Sequence, residues 1–286
     1  MDFAIIAAGE GSRLVQEGVT TPKPLINIQG SPLIERLIRI FLKNGASSIS
    51  VIVNEEMTEV QDFLKKLQLP VPFHLHIQST PSSMHSFYAL SRYLKNDRFC
   101  LTTVDPIFRE EEFSDYIQAF KNIDNIDGLM AVTDFVDDEK PLYVKTDEDW
   151  RIVEFGSSRF EVQGSRFEVQ SARFEVQGSK FMVQGSKCKV QGAGFVGQGL
   201  GCSGYTQGDG STYVSGGIYC LRQSAIRVLE NAMSEGISRM RNYQRRLVSE
   251  GLILKAYPFS TIIDVDHAED INKAEAFLQE RTETKK

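Results

Sequence analysis

At 286 residues the chain has room for one large domain or two small ones. A hydrophobic fraction of 41%, a charged fraction of 24% and a formal net charge of −6 without a long basic run describe an ordinary globular protein; they exclude nucleic acid as a main partner, which needs a clustered positive surface. The opening MDFAIIAAGE lacks a basic n-region and a long apolar run, and the four cysteines show neither metal spacing nor a disulfide framework, so the expectation is a cytoplasmic protein with no membrane association.

FAIIAAG (3–9) is an apolar run closed by glycine, the pattern of a buried parallel strand. After a glycine-rich loop, PLIERLIRIFLKNG (32–45) carries a helical stripe of Leu33, Leu37, Ile40 and Phe41, with Asn44-Gly45 as its C-cap. SISVIV (48–53) reads as a second buried strand, EVQDFLKKL (59–67) as a helix and FHLHIQ (73–78) as an alternating strand. SMHSFYALSRYL (83–94) then reads as a helix, and FCLTTVD (99–105) as a strand ending in an aspartate. This alternation predicts a doubly wound α/β domain whose ligands bind beyond the carboxyl ends of the strands.

The first of those ends is AAGEGSRLVQEGVTTPKPL (7–25). Gly9 and Gly11 permit a tight turn that presents N–H groups to an anion, and Arg13 adds a guanidinium fork suited to phosphate oxygens. Lys23, expected to be held extended between two prolines, supplies a second cation. The loop is neither a Walker motif nor a dinucleotide fingerprint, because Lys-Ser/Thr and the third glycine are both absent.

The combination AAGEGSRL…PKPL resembles the signature of the sugar-phosphate nucleotidyltransferase superfamily. INIQGSPLIERLI (26–38), LTTVDPIF (101–108), VSGGIYCL (214–221) and IIDVDHAEDINKAEAFL (262–278) extend the resemblance over nearly the whole chain except about 157 to 210. It implies a Rossmann-like, mostly parallel mixed sheet flanked by helices, of the nucleotidyltransferase or GT-A-like kind. It also implies a reaction in which a phosphorylated acceptor attacks the α-phosphorus of an NTP and releases pyrophosphate.

Carried onto this chain, the resemblance makes Ala7, Ala8, Gly9, Gly11 and Ser12 nucleotide-binding and Arg13 and Lys23 catalytic. Arg13 would serve the β- and γ-phosphates, and Lys23 the α-phosphate and the acceptor phosphate. Asp105 and Asp266 would hold Mg2+, with Asp264 as the fallback for the second carboxylate. Asp266 with Glu269 also reads as a helix capping box. STPSSMHSFYAL (79–90) resembles the corresponding stretch of phosphocholine-type cytidylyltransferases, which places Ser83 and Ser86 at the base and ribose and puts CTP slightly ahead of other NTPs. Glu154 in WRIVEFG, and Ser215, Gly217 and Tyr219, match acceptor-binding positions. Phe155 and Ser215 depart from the usual lysine and asparagine, which leaves a sugar phosphate and a phosphocholine-like alcohol both open as acceptor.

His74 and His76 share a strand face but have no third ligand, so metal binding is not expected there. The RMRNYQRRL helix (239–247) is basic on several faces and is expected to be solvated. Two other functions compete: a GT-A-type glycosyltransferase, because DVD at 264–266 is an Asp-x-Asp, and a non-catalytic nucleotide or sugar-phosphate sensor. The oligomeric state is open, with a homodimer among the options.

Between the two acceptor strands, SRFEVQGSRFEVQSARFEVQGSKFMVQG repeats every seven residues, with Phe and Val two apart and Gly-Ser once per unit. That spacing opposes a coiled coil and suits short strands joined by turns. The expected organisation is a nucleotidyltransferase domain over 1–156 and 209–281, a repetitive β-prone or disordered insert at 157–208, and a tail at 282–286.

Overall fold

Every residue of β1 (Asp2–Ala7) is buried. Phe3, Ile5 and Ala7 join one apolar layer and Ala4, Ile6 and the following Ala8 the other, the two-sided burial of a central strand in a helix-covered sheet. The computed structural model describes residues 1–136, 140–158 and 212–280; the repeat from Arg159 onward and the expected tail lie outside them. After β1 come α1 (Ser12–Gln16), a 3-10 turn (Lys23–Leu25), the β2 (Asn27–Ile28) and β3 (Ser31–Pro32) hairpin, and α2 (Leu33–Lys43). β4 (Ser48–Val53), α3 (Thr58–Lys65), β5 (Phe73–Ile77), α4 (Ser83–Ser91) and β6 (Arg98–Thr103) continue the alternation. β7 (Pro106–Ile107), α5 (Glu110–Asn122), β8 (Gly128–Thr133), β9 (Tyr143–Thr146) and β10 (Ile152–Gly156) follow. The rest comprises β11 (Tyr213–Arg222), α6 (Gln223–Ser234), α7 (Met240–Ser249), β12 (Leu254–Phe259), β13 (Ile263–Asp264) and α8 (Ala268–Gln279).

Nine of these strands form one mixed sheet in the order β10-β9-β11-β6-β1-β4-β5, with β8 paired to β11 and β12 to β8. β6, β1, β4 and β5 run parallel, so their carboxyl ends share one edge. Antiparallel pairing enters at β11, which joins β6, β8 and β9. Apolar faces of α2, α3, α5 and α8 fill one layer, and those of α4, α6 and α7 the other. The Leu33, Leu37, Ile40 and Phe41 stripe is buried, and Gly45, at φ +74°, closes α2 in the left-handed conformation that glycine adopts without strain. Among the described residues no helix is long and apolar enough to cross a membrane.

α7 differs from the expected solvated helix. Tyr243, Gln244 and Leu247 form a buried stripe, and the Tyr243 hydroxyl donates to Ala225 O at 2.8 Å. The arginines flank that stripe, and Arg245 Nε donates to Phe155 O at 3.0 Å, tying α7 to β10.

Two local features shape the carboxyl edge. β7 and β13 form a separate two-stranded ribbon, with Ile263 opposite Ile107 and Asp264 opposite Pro106. Within β11 the register against β8 jumps between Ser215 and Tyr219, so three residues bulge where β8 has one. Gly217 in that bulge has φ +71°, and an added Cβ would meet Thr103 Oγ1 at 3.2 Å. Gly217→Ala is therefore expected to lower stability by about 1–2 kcal/mol, the cost of a left-handed non-glycine residue, in urea unfolding.

Candidate active site

Gly11, at φ +62°, turns the loop after β1 back against the 3-10 turn, where a Cβ on it would come within 3.2 Å of Lys23 Cβ. Lys23 is not extended as the two prolines suggested. Pro22, at φ −53°, and Pro24 suit the opening of a 3-10 turn, which Leu25 N closes by donating to Pro22 O at 2.8 Å. The turn sends the Lys23 side chain inward, leaving it 8% exposed.

There its ammonium donates to Asp105 Oδ2 and to Asp266 Oδ1, each at 2.6 Å. Arg13 Nη1 donates to the other oxygen of Asp266 at 2.8 Å. Asp105 follows β6 immediately before β7, and the ribbon brings Asp266 beside it, because Val265 N donates to Asp105 O at 3.2 Å. Burial pushes the Asp105 carboxyl up, but the Lys23 charge and hydrogen bond outweigh it and hold the group below the usual carboxylate range. Burial likewise pulls the Lys23 ammonium down, while the charges of Asp105 and Asp266 hold it above its ordinary value.

Asp105 Oδ1 is buried with no hydrogen-bond partner. Two carboxylates that converge on one cation, one with an orphaned oxygen, suit a hard divalent ion whose remaining positions go to water and phosphate oxygens. Among the described residues no group of three or more His, Cys, Asp and Glu side chains converges as a metal set, at this site or another. His74 and His76 both pack against the Tyr93 ring, at 4.8 and 6.0 Å between centroids.

The capping box lies one residue beyond the expected position. His267 is the N-cap of α8, and Asp270 Oδ2 accepts from His267 N at 2.7 Å, which leaves the Asp266 carboxylate to the ion-pair cluster. Glu17, just past α1, accepts from Ala268 N and pairs with His267 Nδ1, both at 2.6 Å. This carboxylate raises the His267 pKa, and Glu17's own is lowered by the Ala268 N–H first and His267 second.

A cavity of about 630 Å³ opens along this edge, lined by Ala8, Gly9, Gly11, Ser12, Arg13, Lys23, Ser83, Ser86, Asp105 and Asp266. Ala7 stays behind it as the last buried residue of β1. Asn54, Glu56, Ser79 and Thr80 also line it; Asn54 directly follows the SISVIV strand, a position that the strand-end rule singles out. A smaller recess of about 60 Å³ shares Arg13 and Asp266 with the cavity and is lined by Ser215, Gly216, Phe135, Asp264 and His267. Gly217 lies beside it in the β11 bulge. Tyr219 is buried with its hydroxyl accepting from Gln244 Nε2 at 3.1 Å, while Gln244 Oε1 accepts from Ser215 Oγ at 3.1 Å. Glu154 sits exposed on β10 opposite Lys145, away from both cavities.

Lys23→Met should cost about 3–5 kcal/mol of stability at neutral pH, because it leaves the largely buried Asp105 without its counter-charge, and Lys23→Met/Asp105→Asn should recover most of that loss in denaturant unfolding. His267 should titrate above the ordinary value near 6.5, and Glu17→Gln should bring it back down, as read by NMR. The His267 contribution to stability is fully present below its unfolded pKa and is lost as pH rises through the folded one.

Residues 3–149 match the model for the MobA-like NTP transferase domain. The bifunctional protein GlmU of Methanococcus maripaludis is 30% identical over 136 residues, 46% of this chain and 32% of that protein, so the match spans about a third of its length. A 2-aminoethylphosphonate cytidylyltransferase of Lancefieldella rimae is 47% identical over 49 residues, 17% of this chain and 20% of that one. The inositol-1-phosphate CTP transferase of T. maritima has the same fold, with a TM-score of 0.66 at 16% identity over 98% of this chain and 96% of that one. The CTP:phosphocholine cytidylyltransferase LicC of Streptococcus pneumoniae does too, with a TM-score of 0.62 at 16% identity over 97% and 98%. From the glycine loop to the strand-end aspartate, the chain belongs to the MobA-like NTP transferase family.

Proposed function

We propose that the protein transfers a nucleoside monophosphate from an NTP, with CTP first, to a phosphorylated small-molecule acceptor, releasing pyrophosphate. One observation carries this reading: the Lys23 ammonium lies at the floor of the large cavity, bonded to both Asp105 and Asp266, next to the loop amides after β1. That assembles phosphate-binding cations and metal-binding anions at one point.

In this reading the Gly9–Ser12 amides and Arg13 hold the β- and γ-phosphates, and Lys23 offsets repulsion between the α-phosphate and the incoming acceptor phosphate. Asp105 and Asp266 hold Mg2+, which when bound neutralises charge on the α-phosphate. Ser83 and Ser86 serve the base and ribose side. Ser215 and Gly217 form the acceptor wall, with Tyr219 and Gln244 fixing Ser215 from behind; Glu154 has no role in it. The small recess, with room for about four waters, suits a compact headgroup, and a lining that includes the Asp264 carboxylate and the Phe135 ring suits one that is cationic. A phosphorylated amino alcohol or aminoalkyl phosphonate meets both conditions better than a hexose phosphate. The match to a 2-aminoethylphosphonate cytidylyltransferase, and the fold shared with a CTP:phosphocholine cytidylyltransferase, favour that choice. The buried free thiols of Cys100 and Cys220 suit a reducing cytoplasm.

Pyrophosphate release from each of the four NTPs, with a panel of sugar phosphates, phosphocholine and aminoethylphosphonate, tests the proposal. CTP with an aminoalkyl acceptor should react, and Lys23→Ala or Asp105→Ala should each lower kcat by at least about 10²-fold. Release that needs no acceptor, or none with any pair, would overturn it.

A further inference from the structure

Beside the register jump in β11, a side chain from α5 is set into the ladder that joins β11 to β8. Tyr116 is wholly buried, and its ring packs against Tyr257, Phe259 and Phe113 at 5.4, 5.5 and 6.1 Å between centroids. Its hydroxyl bridges two residues that face each other across the ladder, Cys220 of β11 and Leu129 of β8. Cys220 N donates to it at 2.8 Å, and it donates on to Leu129 O at 2.5 Å. Ile218 O, inside the bulge, lies 3.5 Å away. Burial pushes the phenol pKa well up, so the hydroxyl keeps the proton that this bridge requires. The bulge itself has little room to take up a shift. A Cβ on Gly216 would stand 2.3 Å from Ile262 Cδ1, and one on Gly217 would stand 3.2 Å from Thr103 Oγ1. In a place packed this closely, a change in the spacing of β11 and β8 passes along the strand instead of being absorbed. Ser215 and Gly216, further along the same strand, line the small recess.

We infer that Tyr116 is a positioning residue for acceptor binding: its hydroxyl, set between β11 and β8, holds the strand spacing that presents Ser215 and Gly216 to the recess. This rests on the recess being the acceptor site, as proposed above. Tyr116 lines neither the recess nor the large cavity, so it acts through the strand and not by touching a ligand.

Tyr116→Phe isolates the hydroxyl, because the ring and its aromatic contacts remain while Cys220 N and Leu129 O lose the group between them. Two readouts on the full chain compare wild type with Tyr116→Phe, with unfolding curves as the folding control. Backbone amide NMR should show residues 215–219 shifted and residues 9–12, in the glycine loop, unmoved. Pyrophosphate release with CTP and aminoethylphosphonate should show the KM for aminoethylphosphonate raised about tenfold, with the CTP KM and kcat little changed. Unmoved bulge amides would overturn the inference, and so would shifted amides with an unchanged KM for aminoethylphosphonate. An equal rise in both KM values would also overturn it, since a general loosening of the sheet is blind to which substrate is bound. If Tyr116→Phe fails to fold, 3-fluorotyrosine at position 116, which keeps the ring and weakens the hydroxyl as an acceptor, is read in the same two ways. Should wild type release no pyrophosphate with any acceptor, the transfer reading falls, and the amide shifts alone decide whether Tyr116 sets the bulge.

Discussion

Two carboxylates side by side at the edge of a sheet repel each other, and the rest of this structure is organised around the ammonium that makes them compatible. Lys23 reaches both because Gly11 lets the first loop fold against it and two prolines hold its backbone in a turn. Asp105 is held where β6 hands over to β7, and Asp266 is delivered by the ribbon that β13 makes with β7. Lys23 and Asp105 are largely withdrawn from water, so each of these two charges is tolerable only while the other is present. With Asp266, that interdependence ties three segments, distant in the chain, to one geometry.

The sheet divides the labour around that cluster. Its parallel half gathers the ends of β1, β4, β5 and β6 into a broad cavity, whereas the antiparallel part builds a tighter recess from the bulged β11. The two spaces meet at Arg13 and Asp266. Their shared wall thus carries one cation and one carboxylate, and the carboxylate is itself held by Lys23.

Much of this was legible in the residues. Buried parallel strands announce themselves as apolar runs, so SISVIV and FAIIAAG were placed to within a residue or two, and the glycines and prolines of the first loop marked its turn. What escaped was whatever depends on contacts between distant segments. Lys23 looked extended because X-Pro preferences act locally, whereas the observed turn is stabilised by a pairing 82 residues away. The capping box shifted by one because Asp266 is drawn into the ion cluster, leaving His267 to cap. α7 looked solvated because its arginines outnumber the Tyr243, Gln244 and Leu247 stripe that packs behind Ser215. Asn54 drew no notice because a single amide after a strand has no motif; only the cavity shows that it lines the same space as the glycine loop.

The β7–β13 ribbon has a consequence for how the molecule comes into being. Asp266 is synthesised 243 residues after Lys23, so a growing chain can lay down β1, β4 and β6 long before the second carboxylate exists. During that interval Lys23 and Asp105 face each other as a simple pair, and the edge lacks the anion that completes its charge pattern. The ion cluster is therefore the last part of this edge to be completed, together with the core residues Val265, Ala274 and Phe277 that follow β13.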